Sequence, residues 1–451
     1  MVRELSRLVG AEHVLQAPPD SPYNSDLTRR RGLSGHAQAV VLPGSAQEVA
    51  ALVAWCYEHD VPLVPRGGGT GLTGGAVPTR GGIVCSLERL RTVRELDPGL
   101  WRMLPEAGVI THDVHRLARE NGLMFAPDPG ASEQSQIGGN VATNAGGPHT
   151  LKYGVTGSWV SGLEVALAPG ELVHVGGWAG KDVAGYDLKS LLIGSEGTLG
   201  VITAVQLHLL PAPESALAMV LFMPSRQEGC DAITGILAAG VRPSVLDFVD
   251  GETLSLAAAS FPGEVPPGAR FALIAEVDGT RQEADTQRRE LLAALAGSAI
   301  SVQDPDPRAL WRWRDGLNAV VTAERGGKAA EDVVFPVERL ADGLRRFQEI
   351  AAGHGLRSCA WGHGGDGNVH ANTLVDPDSD ADLRAAEAVG EELMREVIAL
   401  GGSIAGEHGI GWIKRRRLQA QWPARTVEIH EQIKLAFDPK SLLNPGKKLA
   451  R

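Results

Sequence analysis

Apolar positions along the chain fall into two regimes. Up to about residue 210 they form short runs separated by glycine clusters; beyond it they fall in a strong strand and in longer stretches rich in Ala, Leu, Glu and Arg. AVVLP (39–43) reads as a short strand. SAQEVAALVAWCYEHD (45–60) has helically spaced apolar residues behind Ser45 with Glu48 three residues on, the signature of a capped helix, and PLVPRG (62–67) returns to strand. A strand–helix–strand unit therefore opens the first regime. Before it, the first sixteen residues predict a helix, and APPDSPYNSDLTRRRGLSG predicts a loop by its turn residues. From residue 81 the runs GIVCSL, LEVALA, ELVHVGG and LGVITAVQLHLLP predict a mixed sheet.

The second regime starts after Pro211 and Pro213. FALIAEVDG (271–279) predicts a strand, and 281–297, 337–353 and 379–400 predict helices, a mixture that fits a separate α+β domain. The stretch RTVEIHEQIKLAFDPKSLLNPGKKLA predicts a helix and then a Pro/Gly loop.

Composition sharpens this outline. At 451 residues more than one domain is expected. The 56 glycines are roughly twice the usual share and imply many tight turns or close backbone approaches. A net charge of −11 argues against a nucleic-acid partner, which selects a basic surface. Cys56, Cys85, Cys230 and Cys359 show no CxxC spacing, so neither a disulfide framework nor a thiolate zinc site is indicated. The N-terminus is charged and amphipathic, and no window approaches ~18 uninterrupted apolar residues. The expectation is a cytoplasmic protein, free or peripheral to a membrane, without a transmembrane span.

PRGGGTGLTGGAVP (65–78) is the densest glycine run. Successive amides in such a loop converge on phosphate oxygens where no Cβ obstructs them. It lacks the P-loop GxxxxGK[ST] and the strand-GxGxxG-helix context of a nicotinamide fold. On glycine content alone a plain flexible loop is an equal reading. PDPGASEQSQIGGNVATNAGGPHTLKYG (127–154) and KDVAGYDLKSLLIGSEGTLGVIT (181–203) add two loops rich in Gly, Asn and Thr, at intervals that suit one extended cofactor.

In WGHGGDGNVHANTL (361–374) His363 and His370 flank a glycine turn, and strand alternation puts His370 and Asn372 on one face. Two histidines alone are weakly specific. GGSIAGEHGIG (401–411) adds Glu407 and His408, giving a two-histidine, one-carboxylate set that also suits a non-heme iron oxygenase.

These motifs, in this order over essentially the whole chain, resemble the FAD-dependent D-2-hydroxyacid dehydrogenases of the vanillyl-alcohol-oxidase superfamily. The group includes D-lactate dehydrogenase, D-2-hydroxyglutarate dehydrogenase and the flavin subunit of glycolate oxidase. The resemblance implies an α+β fold: a two-part FAD-binding domain and an α+β cap, or substrate, domain with an antiparallel sheet. The implied division is an N-terminal helix and loop (1–35), FAD domain (36–212), cap and metal domain (213–420) and a C-terminal segment returning to the FAD domain (421–451).

By the same resemblance, Arg66, Gly67, Gly68, Gly69, Thr70, Gly71, Gly74 and Gly75 would wrap the FAD pyrophosphate. Pro127, Asp128, Gly130 and Ser132 would lie beside the flavin. Gly138, Gly139, Asn140, Thr143 and Gly147 would line the diphosphate and isoalloxazine, with Glu196, Gly197, Val201 and Ile202 toward the adenosine; Asn444 and Lys447 would touch FAD from the C-terminal segment. Covalent relatives carry a histidine where this chain has Thr70, which implies non-covalent FAD.

His363, His370 and Glu407 would bind zinc or another divalent metal, His408 would be the general base, and Arg314, in ALWRWRDGLNAVV (309–321), would fork onto the substrate carboxylate with Asn372 in the same pocket. The implied reaction oxidises a 2-hydroxyacid such as glycolate or D-lactate to its 2-oxoacid by hydride transfer to flavin N5. The electron acceptor would be a quinone, a flavoprotein or an iron–sulfur protein, and a homodimer is compatible with the reading. The alternatives are a flavin alcohol oxidase using oxygen and a flavin-binding subunit of a glycolate oxidase complex.

The chain departs from the dicarboxylate-specific relatives at two places. Asn318 stands for a threonine, and Ala330 for a lysine, with Lys328 two residues away. That leans toward a smaller or more apolar monocarboxylate. Trp311, Trp313 and Trp361 would wall an apolar pocket or pack in the core. WIKRRRLQ (412–419) reads as a solvated basic helix face or a docking patch for the acceptor.

Overall fold

The structure, a computed structural model, describes residues 1–295 and 297–449. It divides into two compact units, the first comprising residues 1–146, 154–212 and 407 onward, the second residues 147–153 and 213–406. Unit 1 thus leaves the chain at 212 and takes it up again at Glu407.

In unit 1 the expected strand–helix–strand appears as Ala39–Val41, Ala46–Glu58 and Leu63–Arg66, with Ser45 capping the Glu48 amide. The two strands are not neighbours: Ile83–Ser86 lies between them, parallel to both. The N-terminal helix is shorter than expected. It covers Val2–Val9 and stops at Gly10, whose φ of 92° leaves the helix, and Val14–Leu15 then pairs with Val40–Val41. A second, antiparallel sheet joins Val93–Asp97, Arg102–Pro105, Val201–His208, Val160–Leu167 and Glu171–Gly176.

Unit 2 is built on a seven-stranded antiparallel sheet. Its spatial order is Ser301–Gln303, Ser215–Met223, Phe271–Gly279, Val245–Asp250, Ser358–His363, Asn368–Val375 and Gly327–Val334. The helices Arg281–Ala294, Leu340–Gly353 and Asp380–Ala399 stand within the Ala/Leu/Glu/Arg-rich stretches that predict them. One face is covered by the Pro307–Ala323 helix, whose Leu310, Trp313, Leu317 and Val321 join Val220, Val249, Ile274 and Trp361 in an apolar core. Burying side chains of this size contributes roughly 1.5–3 kcal/mol each.

The basic stretch at 412–417 is not helical; only Leu418–Gln421 is. The amides of Trp412 and Ile413 both donate to the Thr73 carbonyl, which fixes the segment as turns. Among the described residues no helix is long and apolar enough to cross a membrane. All four cysteines are buried and unbridged.

Candidate active site

The glycine loop of unit 1 leaves the Leu63–Arg66 strand and runs close to another backbone segment. A Cβ on Gly68 would sit 2.0 Å from the Gln134 carbonyl oxygen, so only glycine allows this approach. Arg66 is buried, and its guanidinium donates to the carbonyls of Ser25 (2.7 Å) and Pro22 (3.1 Å), tying the loop to the N-terminal segment. Among the described residues, the amides of 67–75 donate to no backbone carbonyl.

Gly138, Gly139, Asn140 and Thr143 lie on the short helix Ile137–Thr143, where the Asn140 side chain holds the Thr111 hydroxyl at 2.6 Å. Pro127, Asp128, Gly130 and Ser132 form the loop before it, with His115 bonded to the Pro127 carbonyl at 2.7 Å. Gly147 opens the segment 147–153 that belongs to unit 2.

The residues fit a dinucleotide-sized polar ligand. Gln136 Oε1 and Asn444 Oδ1 are buried without a hydrogen-bond partner, and the Cβ positions of Gly75, Gly130 and Gly139 face open space. Val201 and Ile202 are different: both are buried strand residues paired with Ala166 and Val165.

Glu196 also does more than line a site. Its carboxylate accepts the amides of Ile410 (2.9 Å) and Gly411 (2.7 Å), and Asn444 donates to its carbonyl at 2.7 Å. Thr73 in the glycine loop donates to the His408 carbonyl at 3.1 Å. The turn carrying His408 is thus held by Glu196 on one side and by the glycine loop on the other. His408 Nε2 lies 3.8 Å from Glu407 Oε1.

In unit 2 the chemistry gathers on one face of the sheet. Asp247, His363 and Asn368 are cross-strand partners in one row, and Val249, Trp361, His370 and Asp332 form the next. Alternate strand residues face the same way, so both rows and Asn372 share a face. The bend between the histidines depends on Gly367, at φ 80°, where a Cβ would meet the Phe335 carbonyl oxygen at 1.9 Å. The rings of His363 and His370 stand edge to face, 5.5 Å apart.

Asp332, which the sequence reading passed over, offers a ligand atom within 4.8 Å of one on His370. It is 1% exposed and accepts Asn368 Nδ2 at 2.7 Å and the Gly406 amide at 2.9 Å. Alternation along KAAEDVVF would have put Asp332 on the face of Ala330 and Lys328. Its cross-strand register with His370 was the missing information.

Arg314 reaches the same face from the Pro307–Ala323 helix, its Nε 2.8 Å from Asp247 Oδ2. Asp247 Oδ1 lies 2.7 Å from His363 Nδ1. Burial alone would raise the Asp247 carboxyl, but the charges of His363 and Arg314 outweigh it and hold it down at about 2. Trp311, three residues before Arg314 on the same side of the helix, donates to Glu276 at 3.4 Å.

Of the three tryptophans, Trp313 is core, its Nε1 on the Ala257 carbonyl, while Trp361 stands beside His370 with Lys328 Nζ 4.6 Å above its ring. Lys328 also bonds Asn372 Oδ1. Asn318 is exposed. Burial pushes the Cys359 thiol up to about 12, which leaves it a packing residue.

Imidazole and carboxylate donors with no thiolate suit a divalent ion of the zinc, manganese or iron type. The buried Asn368 Oδ1, unpartnered beside Asp332, fits a polar site of this kind.

Residues 37–176 match the FAD binding domain family, and residues 212–448 match the C-terminal domain of the FAD linked oxidases. Glycolate oxidase subunit GlcD of Bacillus subtilis is 35% identical over 419 residues, covering 92% of this chain and 89% of its own. D-lactate dehydrogenase of Archaeoglobus fulgidus is 34% identical over 459 residues, covering 99% and 98%. D-2-hydroxyglutarate dehydrogenase of Xanthomonas citri pv. viticola is 34% identical over 463 residues, covering 99% and 96%. The fold is that of p-cresol methylhydroxylase with substrate bound, at a TM-score of 0.82, 19% identity and coverage of 99% and 96%. With both domain families matched and these relatives covered over nearly their full length, the chain belongs to the FAD-linked oxidases, in the family of FAD-dependent D-2-hydroxyacid dehydrogenases, and is an oxidoreductase.

Proposed function

We propose that the chain oxidises a small D-2-hydroxyacid to the 2-oxoacid, using non-covalent FAD and a divalent metal ion held by His363, His370 and Glu407, with Asp332 paired across the strands from His370. The observation that carries this reading is the convergence of His363, His370, Asp332, Asn372 and Arg314 on one face of the unit 2 sheet. Glu407 follows Gly406 by one peptide, a step of about 3.8 Å, and the Gly406 amide is itself bonded to Asp332.

Bound FAD supplies the acceptor for the hydride leaving C2. The divalent ion, zinc or another, supplies the Lewis acidity that lowers the substrate hydroxyl pKa. His408 takes the hydroxyl proton, its turn steadied by Thr73 and Glu196. Arg314 meets the substrate carboxylate, with its plane set by the Nε bond to Asp247. Asn372 lines the pocket floor between Cys359 and Ala330. Ala330 takes up little of that floor and Trp361 gives it an apolar wall, which favours glycolate, D-lactate or a longer apolar side chain; Lys328, bonded to Asn372 Oδ1 and 4.6 Å above the Trp361 ring, is the group that a second carboxylate would have to meet.

The test is anaerobic mixing of the purified flavoprotein with D- and L-2-hydroxyacids before and after chelation, followed by the flavin absorbance and a dye acceptor. Bleaching by the D-enantiomer that chelation abolishes and metal restores is the expected result. Activity indifferent to metal removal, or specific for L-enantiomers, overturns the reading.

A further inference from the structure

Asp247 is an unusual residue for its place. It sits mid-strand, 1% exposed, between the buried Val245 and Val249 on the same face, where an apolar residue would satisfy the sheet. A buried carboxylate is costly unless both oxygens are partnered. Here each oxygen has its own partner: Oδ1 the Nδ1 of His363 and Oδ2 the Nε of Arg314.

The two partners come from different elements. His363 ends the neighbouring strand and Arg314 comes from the covering helix, and they are the side chains assigned above to the metal and to the substrate carboxylate. An ionised carboxylate only accepts hydrogen bonds, so the His363 nitrogen facing it carries the proton. When an ion displaces the other ring proton, His363 keeps its Nδ1 proton on Asp247 and ligates through the Nε2 lone pair. The same carboxylate anchors Arg314 at Nε, which fixes the plane from which its two Nη groups project.

We propose that Asp247 is a positioning residue shared by both arms of the site: it selects the Nε2-ligating form of His363 and orients Arg314 for the substrate carboxylate. This rests on the function proposed above. It adds that one side chain outside both arms sets metal affinity and substrate affinity together.

The experiment uses the FAD-loaded protein stripped of metal by chelation and titrated with cobalt(II), alongside steady-state kinetics, for wild type, Asp247→Asn, Asp247→Glu and His363→Ala. Asp247→Asn is expected to weaken cobalt binding about 10–100-fold and to raise KM for the hydroxyacid, while Asp247→Glu recovers most of both. Asp247→Asn with wild-type cobalt affinity and KM overturns the proposal. If His363→Ala then still loses cobalt, the metal assignment stands and only the role of Asp247 fails; if His363→Ala binds cobalt normally, the metal assignment itself fails. Should Asp247→Asn not fold, the imidazole 15N shifts of His363 in the metal-stripped wild type decide. An Nδ1–H tautomer supports the proposal, and an Nε2–H tautomer overturns it.

Discussion

The two units present their chemistry in opposite ways. Unit 1 presents backbone: glycine loops whose amides and open Cβ positions define the cradle, with side chains such as Arg66 and Glu196 spent on fixing the loops themselves. Unit 2 presents side chains: imidazoles, carboxylates and a guanidinium projected from one face of a rigid sheet, where the backbone is fully occupied by strand pairing. A backbone cradle tolerates no added carbon, whereas a side-chain site tolerates no lost donor. Substitutions that add or remove atoms should therefore separate the units.

The largest expected effect is in unit 2. His370→Ala should lower turnover by about 10³-fold or more, the several kcal/mol that a Lewis acid supplies, while the flavin content measured by absorbance stays at wild-type level. A variant within tenfold of wild type would undo the claim that this face holds the ion. Next come two glycines of unit 1. Gly68→Ala places a Cβ against the Gln134 carbonyl and should destabilise the fold by about 1–3 kcal/mol, seen as a lower melting temperature even without FAD. Gly139→Ala meets no protein atom within 4 Å, so it should melt normally and lose FAD affinity only. If both variants behave alike, the cradle argument is wrong.

Glu196→Gln should have a smaller effect. It keeps one acceptor for the amides of Ile410 and Gly411 but removes the charge, worth about 1 kcal/mol. Turnover should fall several-fold with FAD retained, because the turn holding His408 loosens; loss of FAD with unchanged turnover per bound flavin would reassign Glu196 to the cofactor.

The smallest is a pH effect in unit 2. Burial raises the Asp250 carboxyl from 3.8 to about 6, against the opposing bonds from Thr253. A raised folded-state value means that the folded protein holds this proton more tightly than the unfolded chain. The resulting stabilisation is complete below about pH 4 and disappears as pH rises through 6. Denaturant midpoints across that window should slope downward in wild type and flatten in Asp250→Asn, which still caps its helix. Parallel slopes in the two proteins would exclude Asp250 as the source.

Much of this is legible in the sequence. Helical spacing behind Ser45 placed Ala46–Glu58, and Ala/Leu/Glu/Arg-rich composition placed Arg281–Ala294 and Asp380–Ala399, which the structure shows capped by Thr280 and Ser379. The flavin domain is legible through the family resemblance that the ordered motifs carry, since glycine content alone leaves a plain flexible loop equally open. What stayed hidden depends on register and on long-range pairing. Ile83–Ser86 entering between two strands linked by a helix is not encoded in the local pattern. Asp332 and Asp247 became visible only when pairing put them beside His370 and His363, since a lone aspartate in an apolar strand resembles any edge or turn residue. The helix expected at 412–419 is replaced by turns over 412–417, where the Trp412 and Ile413 amides meet the Thr73 carbonyl, more than 330 positions earlier in the chain.

The Gly406–Glu407 peptide sets a rule for recombining this chain with its relatives. Segment 402–406 runs along the edge strand, with Ser403 bonded to Val334 in both directions at 2.9 Å and Gly406 to Asp332, while the residues that follow are fastened to Thr73 and Glu196. A crossover at 406/407 respects the boundary of compactness yet divides a short stretch whose two ends are matched to different hosts. A chimera designed on domain limits alone would fold and fall silent; one that carries 401–411 together with 73, 196 and 332 from the same parent would keep its inheritance intact.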